Sequence, residues 1–162
     1  LYLLQDIFDL YPKEQASAIR ESFWKTLGRY MAPQLSSEGI KVNWINYKTG
    51  IKHLYFKMEA SGSSAAVLIE IAHPDRDIQE LMMSQFYELK NLFLHYLGNE
   101  WTWMPEYIDE SGRRTARIYT AIYEVSVYRQ EDWPSLISFF KPRMIALDEF
   151  WNNARYGFEL FR

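Results

Sequence analysis

Cysteine is absent from the 162 residues. That removes disulfides, thiolate nucleophiles and thiolate metal sites together, and excludes a disulfide-stapled secreted scaffold. Glycine is sparse, at 7, and none of it forms a phosphate-cradling loop or a dinucleotide fingerprint; a serine nucleophile elbow and a zinc-protease histidine pair are missing as well. The three histidines, His53, His73 and His95, are too scattered for a helical ligand pair. No uncharged run approaches the roughly 20 residues that span a bilayer, and no positively charged leader precedes an apolar stretch. The expectation is a cytoplasmic protein with no membrane partner. Neither sign of charge dominates: the net of −3 argues against a protein whose whole surface grips nucleic acid.

Core-forming material is plentiful. Hydrophobic residues make up 48% and aromatics 17%, enough to offset the entropy of folding, and the length suits one domain over residues 1–162. Residues 1–10, which lack an initiating Met, are read as a peripheral segment. Six Trp, 12 Tyr and 10 Phe exceed what one small core hides, so some rings are expected in a groove or subunit contact, and a homo-oligomer is expected. Charge is also uneven along the chain. Lys41, Lys48, Lys52 and Lys57 fall in a stretch without an acid, Arg113, Arg114 and Arg117 form a second basic run, and eight acids against Arg76 and Lys90 lie between Asp75 and Glu110.

Periodicity places the elements. Ala16, Ile19, Phe23, Leu27, Tyr30 and Met31 recur at helical spacing over 13–31, and Pro33 stops the run. Residues 42–47 and 51–59 are β-branched and aromatic and flank Lys48-Thr49-Gly50, a hairpin loop ending in the glycine that a left-handed bulge needs. Ser61-Gly62 then turns into an apolar strand over 65–73. Ile78, Leu81, Met82, Phe86, Leu89, Phe93, Tyr96 and Leu97 trace one long helix closed by Gly98. A hairpin about Asp109-Glu110-Ser111-Gly112 joins strands at 101–108 and 114–123. Asp132 caps a last helix, in which Pro142 predicts a kink. The fold class is α+β: helix, three-stranded antiparallel meander, helix, β-hairpin, C-terminal helix.

Strand register brings out one candidate site. If the second hairpin is symmetric about Ser61-Gly62, His53 lies beside Glu70 and Lys57 beside Ala66. Alternation then gives Leu54, Phe56, Met58, Val67, Ile69 and Ile71 one apolar face. The opposite face collects Asn43, His53, Tyr55, Lys57, Glu59, Leu68 and Glu70. Glu70 breaks an otherwise apolar run, and a carboxylate there needs a partner. The structural reading pairs it with His53 or Lys57. The alternative makes Glu59 and Glu70 magnesium ligands with Lys57 as electrostatic stabiliser, since hard cations favour carboxylate oxygens; magnesium enters only there, and otherwise no cofactor is expected. Lys141 and Arg143, near Pro142, are candidates to hold phosphates together with Arg113, Arg114 and Arg117.

Two resemblances follow. The order helix, three strands, helix, strand resembles the restriction-endonuclease-like core of the nuclease superfamily named for its Pro-Asp…(Asp/Glu)-x-Lys signature. Ala72, however, stands where that pattern has its lysine. A closer likeness lies in Lys13-Glu14-Gln15-Ala16, Phe23-Trp24, Asn43-Trp44-Ile45-Asn46-Tyr47-Lys48-Thr49-Gly50, Phe140-Lys141-Pro142-Arg143 and Ile145-Ala146-Leu147-Asp148-Glu149-Phe150-Trp151. These runs resemble the bacterial family called domain of unknown function 4268, whose members stand alone or follow endonuclease-like domains. That likeness implies a DNA-processing or defence context without transferring catalytic residues. The expected function is a non-catalytic, self-associating binding or accessory module, with nucleic acid or a DNA-processing protein as partner; the alternative is a magnesium-dependent or degenerate nuclease.

Overall fold

The structure, a computed structural model, describes residues 13–162; the peripheral segment expected at 1–10 lies outside them. Helix α1, Lys13–Met31, buries Ala16, Phe23, Leu27 and Met31 along one stripe, and matches the helix predicted from spacing. Strands β1, Leu54–Ala60, and β2, Ser64–Ile71, follow. Then come α2, Arg76–Glu88, and α3, Lys90–Leu97. Strands β3, Thr102–Ile108, and β4, Arg114–Tyr123, precede α4, Trp133–Ala154. Short 3-10 turns occupy Gln130–Asp132 and Arg155–Phe161. All four strands are antiparallel, in the order β1-β2-β4-β3. The class is therefore α+β as expected. Among the described residues, no helix is long and apolar enough to cross a membrane.

The three-stranded meander is corrected to two strands ahead of α2. Residues 42–47 form no strand, because their side chains bond elsewhere. Trp44 is buried and donates through Nε1 to Gln34 O at 2.9 Å, and Tyr47 donates to Asp148 Oδ1 at 2.6 Å. Asp148, buried on α4, also accepts from Ser37 N at 2.8 Å, while Trp151 Nε1 donates to Thr49 O at 2.9 Å. The segment is thus a loop pinned to α4. With it goes the element order that resembled a restriction-endonuclease-like core, since among the described residues two strands, not three, lie between α1 and α2. The single long helix is also two: the Leu89 N–H reaches both Gln85 O and Phe86 O, and its φ of −96° and ψ of 17° end α2 before α3 begins.

The first-to-second strand register differs from the symmetric-turn estimate by two residues. Ala60 faces Ala65, so Lys57 pairs with Leu68 and Tyr55, not His53, pairs with Glu70. Ser61 is the reason. Its amide donates to Ser64 O at 2.8 Å and its hydroxyl accepts from Ser63 N at 3.2 Å and Ser64 N at 3.1 Å, so Ser61 pairs with Ser64 and the two-residue turn moves one residue along to Gly62-Ser63, a local competition typical of serine. A slip of two preserves facing. Leu54, Phe56, Val67, Ile69 and Ile71 accordingly join one core with Ala116, Ile118, Phe86, Phe93, Phe140, Phe150 and Trp151.

One terminal detail differs as well. Asp132 is the N-cap residue of α4 but makes no side-chain cap bond; its Oδ2 turns back to Ser126 N at 2.9 Å and Arg129 at 3.0 Å. Pro142 lies inside α4, which is helical on both sides of it.

The Tyr47–Asp148 bond generates a pH prediction. Burial, and after it the hydrogen bond to Asp148, raises the Tyr47 phenol above its ordinary value of 10.0. The unfolded chain therefore gives up this proton above about pH 10 while the folded chain keeps it, so the contribution is intact below that pH and declines as pH rises beyond it. Tyr47→Phe is expected to cost about 1–2 kcal/mol at neutral pH and to make the alkaline loss shallower. Urea denaturation at neutral and strongly alkaline pH measures both; an unchanged alkaline slope would remove Tyr47 as its source.

Candidate functional site

The helices contribute to the core on one side of the sheet, and the other side is built differently. Leu68 is only 1% exposed yet stands outside the continuous core, because alternation turns it outward with Tyr55, Lys57, Glu59, Ala66 and Glu70. Strand β4 adds Arg117, opposite Glu70, and Tyr119, opposite Leu68. An irregularity in β3 between Met104 and Tyr107 sets the Tyr107 ring under Arg117, whose guanidinium carbon lies 3.8 Å from the ring centroid. Such bulges commonly re-aim a side chain at the edge of a sheet.

Glu70, 7% exposed, is the hub of this face. Lys57 Nζ lies 2.8 Å from Oε1 and Arg117 Nη2 3.5 Å from Oε2. The carboxylate is thus bracketed from both neighbouring strands. Lys57 is the partner read from the sequence; Arg117 was expected at a phosphate, and His53 is not a partner. Lys57 also stands 5.1 Å from the centroid of the Tyr55 ring, which is 43% exposed. Glu59 faces Ala66, four residues along β1 from the Tyr55–Glu70 pair, or about 13 Å at strand rise. The two carboxylates proposed as magnesium ligands therefore do not converge. Among the described residues, no group of three or more His, Asp or Glu is placed to hold a metal ion.

At the end of this face where β1 begins lies a cavity of about 560 Å³, lined by His53, Tyr55, His73, Arg76, Arg113 and Arg114 among others. Four of these were candidates from the sequence; the register and the β3–β4 hairpin bring them together. His53 sits just outside β1 with φ of 66°, a left-handed conformation that costs a non-glycine residue roughly 1–2 kcal/mol. Its carbonyl accepts from Ala72 N at 2.8 Å, and its ring meets that of His73 edge-on at 4.8 Å. His73 Nδ1 accepts from Asp75 N at 3.0 Å, so the neutral ring carries its proton on Nε2.

The arginines are held by groups the sequence reading passed over. Gln79, buried on α2, donates to His73 O at 2.5 Å and Arg114 O at 2.7 Å, and accepts from Arg114 Nη1 at 3.0 Å. Glu80 bridges Arg76 at 3.3 Å and Arg114 at 3.7 Å. A signal for Gln79 existed: it is a polar residue on the helical stripe of Met82, Met83 and Phe86.

The remaining candidates lie apart. A larger cavity of about 1080 Å³ runs from Arg20 and Trp24 of α1 past Glu59 and Ala66 to Glu110 of the β3–β4 loop, and its charge is mixed. Asn43 Oδ1 accepts from Asn46 N at 3.1 Å, a local turn. Arg143 pairs with Glu100 at 3.0 Å and covers the Phe139 ring, and Lys141 shares its helix; neither is brought to Arg113, Arg114 or Arg117.

Residues 19–155 match the family described as Domain of unknown function (DUF4268). No curated protein and no solved structure matches the chain.

Substitutions on this face separate scaffold from site. Glu70→Gln leaves Lys57 and Arg117 without their shared charge and is expected to cost about 1–3 kcal/mol, with added magnesium leaving the melting temperature unchanged. His53→Gly removes the left-handed strain and is expected to hold stability or raise it by up to about 1 kcal/mol. Denaturant titration of the three proteins checks this; a magnesium-dependent melting shift that Glu70→Gln abolishes would restore the metal reading.

Proposed function

The chain belongs to the family of domain of unknown function 4268, and we propose that it serves as a non-catalytic accessory module that binds single-stranded nucleic acid on the outer face of its sheet. The observation that carries this reading is the placement of the exposed Tyr55 beside Lys57, 42% exposed, with the half-buried Tyr119 on the same face outside the main core. Bases of a single strand stack on exposed rings for about 1–3 kcal/mol each, while cations answer the phosphates. A duplex hides those base faces. Glu59, four residues along β1 from Tyr55, limits the contact to the half nearest His53, which fits a chain whose net charge is −3. The likeness to proteins that follow endonuclease-like domains supports a DNA-processing setting.

A second reading uses the same surface. Tyr55 and Tyr123, 43% and 69% exposed, favour self-association through the sheet, and a dimer formed there would compete with the strand.

Fluorescence anisotropy with labelled oligothymidylate tests the proposal. Affinity is expected to fall as salt rises, because neutralised phosphates release counterions. Tyr55→Ala should weaken binding by about tenfold or more, Lys57→Gln should reduce the salt slope by about one, and Glu59→Gln should tighten binding by removing a repulsive charge. Absence of binding at low salt to both DNA and RNA strands, or a preference for duplex, would overturn it. Light scattering across the same concentrations reads the competing dimer.

A further inference from the structure

We propose that the cavity between His53 and the arginines takes a terminal phosphate monoester, so that the sheet face holds a strand by its end; this rests on the reading of the face as a single-strand surface. The cavity opens beside Tyr55, which also belongs to the face. Three guanidinium groups, Arg76, Arg113 and Arg114, and two imidazoles line it, and no carboxylate does. The acids that pair with these arginines are not among the lining residues: Glu80 holds Arg76 and Arg114, Glu106 lies 3.7 Å from Arg114, and Asp109 lies 3.9 Å from Arg113. Asp75 is occupied by the amides of Asp77 and Ile78 at the start of α2. The lining itself therefore offers a ligand guanidinium and imidazole groups and no carboxylate.

Two further observations point to an occupant, and the Arg114 guanidinium is held ready for it: Gln79 accepts from Nη1, while the buried Nε lies 3.7 Å from Glu106 Oε1. His53 keeps a strained backbone that glycine would adopt freely, and such strain persists at sites more often than elsewhere. Convergent planar guanidiniums match a dianionic phosphoryl group better than an internal phosphodiester, because a terminal monoester offers three oxygens and the larger charge. A volume near 560 Å³ admits the phosphoryl group with its nucleoside at the mouth, where the Tyr55 ring lies.

The test compares oligothymidylates identical except for a hydroxyl or a phosphate at the 5′ or the 3′ end, with the label on the opposite end. A phosphate at one of the two ends is expected to tighten binding about tenfold, as added charge-assisted hydrogen bonds would. Arg113→Gln and His53→Gly should each cut that advantage to near zero while hydroxyl-ended strands bind as before. Millimolar inorganic phosphate should erase the advantage without displacing the hydroxyl-ended strand. Thermal melting of both variants establishes that they fold, with His53→Gly melting at or above the parent. Equal binding of all ends would overturn the cavity assignment and leave the face reading standing. Absence of binding by any strand would overturn the face reading and this inference with it. A melting shift with inorganic phosphate but no end preference would make the cavity a free-phosphate site and overturn the strand-end role.

Discussion

The carboxyl group of Asp148 is the constraint on which much of this structure depends. It is buried on α4 and reaches across more than one hundred positions of chain to Tyr47 and to the amide of Ser37. Unpartnered, a buried carboxyl would be costly; satisfied, it fixes a loop that has no ladder of its own. Trp151 adds a second tie through Thr49 O, and the rings of Tyr47 and Trp151 both pack on Phe56. The start of β1 is thereby set against α4. Because β1 templates β2, and β2 pairs in turn with β4, the clamp reaches the position of every residue on the outer face.

That face has its own logic. A sheet whose main core lies on one side must meet water on the other, and antiparallel sheets do so by alternating apolar and polar residues. Here the alternation is incomplete, since Leu68 and Glu70 are both buried on the outer side. Leu68 is covered because long neighbours surround it, and Glu70 is tolerated because Lys57 and Arg117 approach from adjacent strands. The tyrosines add rigid, amphipathic area around this ionic hub. Lys57 is the more exposed of the two cations, at 42% against 14% for the Arg117 side chain, so Arg117 serves chiefly to hold the carboxylate and Lys57 has a free side.

Much of the frame was legible because it obeys periodicity. The stripe of α1, the facing of β1 and β2, and the turn that ends with Gly112 at φ of 83° all follow from spacing and residue type. What failed did so for local reasons with long-range causes. Residues 42–47 have the composition of a strand, yet Tyr47 and Trp44 have better partners on distant elements than a neighbouring strand could give. The hairpin register depended on one serine hydroxyl, which no alternation rule sees. The site was legible only in part: His53, Tyr55, Arg113 and Arg114 stood out as types, but His73, Arg76, Gln79 and Glu80 join them only through the docking of α2 against the ends of β2 and β4.

The runs that carry the sequence resemblance and the candidate site occupy different residues, although the family match over residues 19–155 spans both. The resembling runs meet one another inside the fold: Phe23 and Trp24 pack on Phe140, and the Asn43 to Gly50 run is tied to Asp148 and Trp151. They specify a joint between a loop and two helices. None of His53, Tyr55, His73, Arg76, Arg113 or Arg114 lies in those runs. A joint of this kind would fold equally well around a different set of side chains at the end of the sheet, because the clamp acts on backbone and core while the cavity is lined from an edge. Those runs therefore account for the frame, and the chemistry at the end of the sheet rests on the side chains placed there.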